Sequence, residues 1–153
     1  MTEISVMCVF CEDIREEKSE QVTIVGVLPD NLNIAVLSPP PTPTSKALLP
    51  KFGVYLRINL SADMERPKNV SAKVLNTGGE IIYQTEWASE VIDKGFVDTE
   101  TNRLPLLGLL LKVVVAPLPV SAGKITAIVT IDDTDHLAGV LNIIFPNASQ
   151  PPA

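Results

Sequence analysis

The sequence predicts an all-β fold, an antiparallel β-sandwich of about eight or nine strands with at most one short helix. Three observations predict it. The dominant hydrophobic period is two, the 13 prolines fall mostly between apolar runs, and a single short segment reads as helix. A closed barrel is the alternative architecture, because strand pattern alone does not show whether the sheet edges meet.

Taken in order, strands are expected at 3–11, 21–28 and 31–37. The clearest element is "FGVYLRINL", where Phe52, Val54, Leu56, Ile58 and Leu60 alternate with Gly53, Tyr55, Arg57 and Asn59, the pattern of a half-buried strand. "KNVSAKVLNTGGEIIYQTEW" reads as a hairpin in which Gly78-Gly79 supply the positive φ values of a tight primed turn. Ser89 is placed to cap a short helix over "EVIDK", with Gly95 as its left-handed stop. Further strands are expected at 106–116, at "GKITAIVTID" with Ile125, Ala127, Val129 and Ile131 inward, and at 137–145. Positions 1–146 then make one sandwich domain and 147–153 a proline-rich tail, while "SPPPTPT" (38–44) reads as a stiff polyproline connection.

With 153 residues, 46% of them hydrophobic, the chain holds enough apolar surface for one core. A formal charge of −6 without a Lys/Arg cluster argues against nucleic acid as a partner. The most apolar window, 104–120, is interrupted by Lys112, Pro105, Pro117 and Pro119, so no membrane span is expected. The N-terminus lacks the positive charge and long apolar run of a signal peptide. The expected location is the cytoplasm, or the virion if the chain is phage-encoded.

Cys8 and Cys11 have C-x-x-C spacing, but on a strand residues three apart point to opposite faces, and the alternation Ile4, Val6, Cys8, Phe10 sends Cys8 inward. With no third cysteine and a single histidine, the pair reads as two reduced, packed thiols rather than a zinc or redox site. "DDTDH" gathers Asp132, Asp133, Asp135 and His136, the weak candidates for a metal; a solvated hairpin turn is the competing reading. Asp98, Glu100 and Asn102 have the spacing that opens a calcium loop, but Arg103 and Leu109 stand where the loop needs Gly and Glu. His136 has no well-placed orienting group, and no nucleophile elbow, Walker loop or dinucleotide fingerprint is present, so neither catalytic residues nor a cofactor are expected.

Several strands are apolar on both sides, whereas a two-layer sandwich hides one face of each sheet. With one short helix to serve as cover, the second apolar face calls for another chain. A protein partner or homo-oligomer is expected, with Val9, Val25, Val27, Ile128, Val140 and Ile144 as interface residues.

The segments "CEDIREEKSEQVTIVGVLPDNLNI", "LLPKFGVYLRINL" and "PLPVSAGKITAIVTIDD" together resemble a family of small bacterial and phage proteins classed as a domain of unknown function. The likeness rests on a charged turn, Ile24-Val25-Gly26-Val27 ending a strand, and Pro119 to Gly123 opening a late hairpin. It implies an all-β sandwich, transfers no catalytic residue, and implies a phage structural or accessory role. The resulting expectation is a non-enzymatic sandwich that works through its surfaces. The alternative is a small-ligand or metal-binding sandwich using the 132–136 loop.

Overall fold

In strand β5 (Phe52–Ser61) every second side chain, from Phe52 to Leu60, is fully buried, and this strand organises the rest of the molecule. A computed structural model of the chain describes residues 3–35 and 45–146. The proline run 38–44 and the tail 147–153 lie outside the described residues, as do positions 36–37 of the expected third strand.

The front sheet has the order β2-β1-β5-β8, made of β2 (Val22–Val27), β1 (Ile4–Glu16), β5 and β8 (Leu106–Val115), all antiparallel. The back sheet runs β3 (Asn31–Asn33), β11 (Thr134–Ile144), β10 (Gly123–Ile131), β6 (Val70–Leu75) and β7 (Ile81–Trp87). Only β3, beside β11, is parallel to its neighbour there. Between them lie Val54, Leu56 and Ile58 from the front and Val74, Ile125, Val129 and Leu141 from the back, all within one core cluster. Both sheets are open, so the architecture is a sandwich rather than a barrel. Gly139 of β11 permits close approach of the layers: a Cβ there would stand 3.0 Å from Cys8 Cβ and 3.2 Å from the Phe10 ring.

Two strands escape a reading of the sequence. β4 (Lys46–Leu49) and β9 (Leu118–Ser121) form a small separate ladder whose Leu118 and Val120 enter the core. Pro119 sits inside β9 rather than at a break. A strand with one partner can leave its other edge without a donor, which is where proline is tolerated.

The helix is longer than expected. α1 (Ser89–Thr101) connects β7 at one edge of the back sheet to β8 at an edge of the front sheet, burying Ile92, Phe96 and Thr99. Ala88 rather than Ser89 is the N-cap residue, and no side chain caps the start. Gly95 is not a stop. It lies mid-helix where a Cβ would meet Leu107 Cδ1 at 2.7 Å, so its missing side chain lets α1 settle on β8. The helix ends on Arg103 (φ 55), whose N–H donates to Glu100 O at 3.2 Å while Leu104 N–H donates to Thr99 O at 2.9 Å, a Schellman arrangement. Asp98, Glu100 and Asn102 therefore belong to the helix end and not to a calcium loop.

The β6–β7 hairpin also differs from a primed turn. Asn76 O accepts from Gly79 N–H and Asn76 N–H donates to Glu80 O, and Gly79 alone has positive φ, at 85°. This is a three-residue loop ending in a left-handed glycine. The β1–β2 turn repeats the pattern with Glu20 (φ 64) in the left-handed place. The charged stretch Glu12–Glu16, read as part of a turn, continues β1; the turn proper begins at Glu17. No helix among the described residues is long and apolar enough to cross a membrane.

Candidate functional site

The register of the front sheet assigns its outward side chains to rows. Met7, Arg57 and Leu110 form one row; Val9, Tyr55 and Lys112 the next; Ser5, Asn59 and Gly108 flank the first on its other side. The columns differ in character: β1 and β8 contribute Met7, Val9, Leu106, Leu110 and Val114, while β5 between them contributes Tyr55, Arg57 and Asn59. Met7 is 47% exposed and Leu110 43%, with Leu106 and Val114 also open to solvent.

Arg57 lies between these apolar columns. Its Nε donates to Asn59 Oδ1 at 3.0 Å, Asn59 Nδ2 donates to Ser5 Oγ at 3.4 Å, and the guanidinium occupies the space over Gly108, where a Cβ would be 3.3 Å from Nη2. Among the described residues Arg57 makes no ion pair. The other cation of the face, Lys112, is paired with Glu16 at 2.8 Å. That ammonium holds the Glu16 carboxyl below its ordinary range.

Glu16 can reach β8 because the far half of β1 turns over the outer face of its own sheet. Ile14 comes within 3.3 Å of where a Gly53 Cβ would stand, and Cys11 Sγ would be at 2.6 Å from it, so Gly53 is covered by its own chain. This corrects the expectation that only another chain could hide the second apolar face. The ribbon covers Gly53 itself, leaves its neighbour Val114 partly open, and does not reach the Leu106–Leu110 end.

The six expected interface residues do not make one patch. Val9, half-buried, faces outward beside Tyr55, and Val27, 66% exposed, pairs with Cys11 at the front sheet's edge. Val25 instead lines a cleft of about 460 Å³ with Leu28, Leu32 and Leu49, whose rim carries Glu12, Asp13, Arg15 and Lys51. Ile128 and Ile144 lie on the outer face of the back sheet, whereas Val140 lines a cleft of about 330 Å³ at the edge between β1 and β11 together with Val9 and Val27. Leu106, Leu110 and Val114 were missed because "LLGLLLKVVV" scarcely alternates, and only its pairing with β5 shows which residues face out.

At the acidic bend, Asp132 (φ 44) and Asp133 (φ 68) form a two-residue primed turn between β10 and β11. Asp132 Oδ1 accepts the backbone N–H groups of Lys68 (2.8 Å) and Asn69 (2.9 Å), tying the turn to the neighbouring loop. Asp135 Oδ1 accepts from Thr130 Oγ1 at 2.6 Å, and His136 lies opposite Val129 near Ile4 and Met64. The turn spreads these groups. Among the described residues, no three His, Cys, Asp or Glu side chains converge to hold a metal ion.

Cys8 and Cys11 are both free thiols, on opposite faces of β1. Burial pushes the Cys8 thiol from 9.0 up to about 12, with Cys11 adding to the rise. Burial likewise raises Cys11, against the lowering effect of the Asp13 backbone N–H. A redox cysteine needs the reverse shift.

A scan against protein-family models matches none of them, and no curated protein matches the chain in sequence.

Proposed function

We propose that this protein is a non-enzymatic β-sandwich that acts through its surfaces, associating with itself or docking on a larger protein assembly. One observation carries the reading: the outer face of the front sheet keeps Met7, Leu106, Leu110 and Val114 in solvent around a central Arg57. Such a face has the composition of an interface centre, apolar residues around an arginine, with the charged pair Lys112–Glu16 to one side. The resemblance to bacterial and phage proteins adds a structural or accessory role in a virion as the setting.

Light scattering and native mass measurement of the full chain at micromolar concentration test the reading. Association with itself or with a co-purifying partner is expected; a strict monomer without partner contradicts it. Thermal unfolding with Ca²⁺, Mn²⁺ and Zn²⁺ addresses the alternative at Asp132, Asp133, Asp135 and His136. The midpoint stays unchanged on our reading, whereas a metal bound to the folded state raises it.

A further inference from the structure

Resting on the reading that this protein associates through its surfaces, we infer that the open half of β1, Ile4–Cys8, is a pairing edge that takes the same strand of a second copy. The two strands run antiparallel about a two-fold axis at Val6, normal to the sheet, and join two four-stranded front sheets into one.

Backbone direction supports the assignment. Ser61 N–H donates to Glu3 O on the β5 side of β1, and Leu28 N–H donates to Phe10 O on the other side. Successive residues of a strand turn their backbone groups to opposite edges, so Glu3, Ser5, Met7 and Val9 serve β5, while Ile4, Val6 and Cys8 face away from it. Cys11–Glu16 have β2 along that far edge; Ile4, Val6 and Cys8 have no strand there among the described residues. Their side chains show the same gap. Leu60, Ile58 and Leu56 on β5 are fully buried, whereas Ile4, Val6 and Cys8 opposite them pack on the same core and stay half-buried.

Other long edges are blunted. α1 spans the side from β7 to β8 with Gly95 seated on Leu107, and β8 carries Lys112. The open half of β11 holds Asp135, His136 and an irregular register. Ile4 to Cys11, by contrast, contains no charge and no proline and keeps an unbroken register with β5, so the devices that hold natural edges apart are missing where the edge is open.

Charge and length favour a copy as the occupant. The chain carries −6, but copies meeting along Ile4–Cys8 oppose no charged residues there. Leu28 closes the edge at Phe10, so a partner strand finds three edge-facing residues to bond, the number the same stretch offers. With Val6 opposite Val6, Ile4 pairs with the second copy's Cys8 at each end, which makes three bonded pairs. A shift of two residues either brings Ile4 to Phe10, whose carbonyl Leu28 already occupies, or leaves two such pairs. The chosen pairing also brings the second copy's Ile4 to the cleft of about 330 Å³ beside Cys8, Val9, Val27 and Val140.

The test is sedimentation equilibrium of the full chain and three variants, each checked for fold by its thermal midpoint. Val6→Pro deletes an N–H that faces the open edge, where proline is tolerated in a strand. The unaltered chain dimerises, and Val6→Pro weakens the dimer at least ~30-fold, because both central N–H···O bonds vanish. Ser5 and the second copy's Met7 stand opposite each other on the solvent face, so Ser5→Lys with Met7→Lys opposes like charges twice and weakens the dimer about tenfold, while Ser5→Lys with Met7→Glu stays within about threefold. If Val6→Pro fails to fold, the two charge variants carry the result. A monomer at all concentrations overturns the inference and leaves docking on another protein as the surviving form of the reading. A dimer that survives Val6→Pro also overturns it, although self-association stands, and points to the β8 edge or the sheet faces. A dimer lost in Val6→Pro but equally tight in both charge variants overturns the register centred on Val6.

Discussion

The two outer faces of the sandwich use the same alternation to different ends. On the back sheet, Thr126 pairs across with Val140 and Leu75, Ile128 with Lys73, and Lys124 with Asn142, so most outward apolar residues have a polar neighbour to keep them wetted. Leu137 beside Ile128, at 63% exposure, and Ile81 beside Leu75, at 56%, are exceptions. On the front sheet, apolar residues line both flanks, and the sheet covers part of its outer surface with its own ribbon. Leaving exposed apolar side chains scattered needs no cover, whereas aligning them in columns builds a surface that water disfavours as a unit.

The largest effect probes the strand that divides core from face. Leu56→Asp places an unpaired carboxylate in a fully buried site and costs at least ~4 kcal/mol, while Arg57→Asp next to it changes stability by less than about 0.5 kcal/mol. Urea unfolding of dilute protein checks both, and equal effects would erase the distinction between the sides of β5. Gly53→Val tests the self-covered end of the front face: its Cβ would overlap Cys11 Sγ, an overpacking cost of about 1–3 kcal/mol. A neutral result would mean that the ribbon does not press on the sheet.

Asp132→Ala addresses the back sheet, where the turn is held by polar contacts. Losing the acceptor for two backbone N–H groups costs about 1–2 kcal/mol in the same assay. The smallest effect is acid sensitivity of the ribbon. The Glu16 carboxyl is held below 4.5 in the folded state by Lys112, so its contribution is present above the unfolded value and disappears as pH falls through the lower folded one. Lys112→Met should flatten that part of the pH profile of the urea midpoint; an unchanged slope would mean that the pair is absent in solution.

The central strands were legible in the sequence. β5 and β10 have neighbours on both sides and one buried face, so Phe52 to Leu60 and Ile125 to Ile131 alternate strictly. Legibility failed where tertiary contacts outweigh local pattern. Gly95 looks like a helix stop until Leu107 is seen beneath it, and Glu12–Glu16 looks like a turn because a two-stranded ribbon tolerates charge on its strands. β4 and β9 are only four residues long, and β9 carries Pro119 in its interior. For the candidate surface, excess apolar surface was readable, but not which residues share a face. That depends on register and on which sheet edges meet: Val9, Val27 and Val140 share one cleft, while Ile128 and Ile144 lie apart on the back sheet.

Oxidative footprinting of Met7 over a dilution series tests most directly whether the open end of the front face is covered in solution. Met7 should be protected at high protein concentration and become reactive on dilution, with Leu137 on the back sheet labelled equally throughout. Labelling of Met7 that ignores protein concentration, in a chain that keeps its fold, would contradict the account.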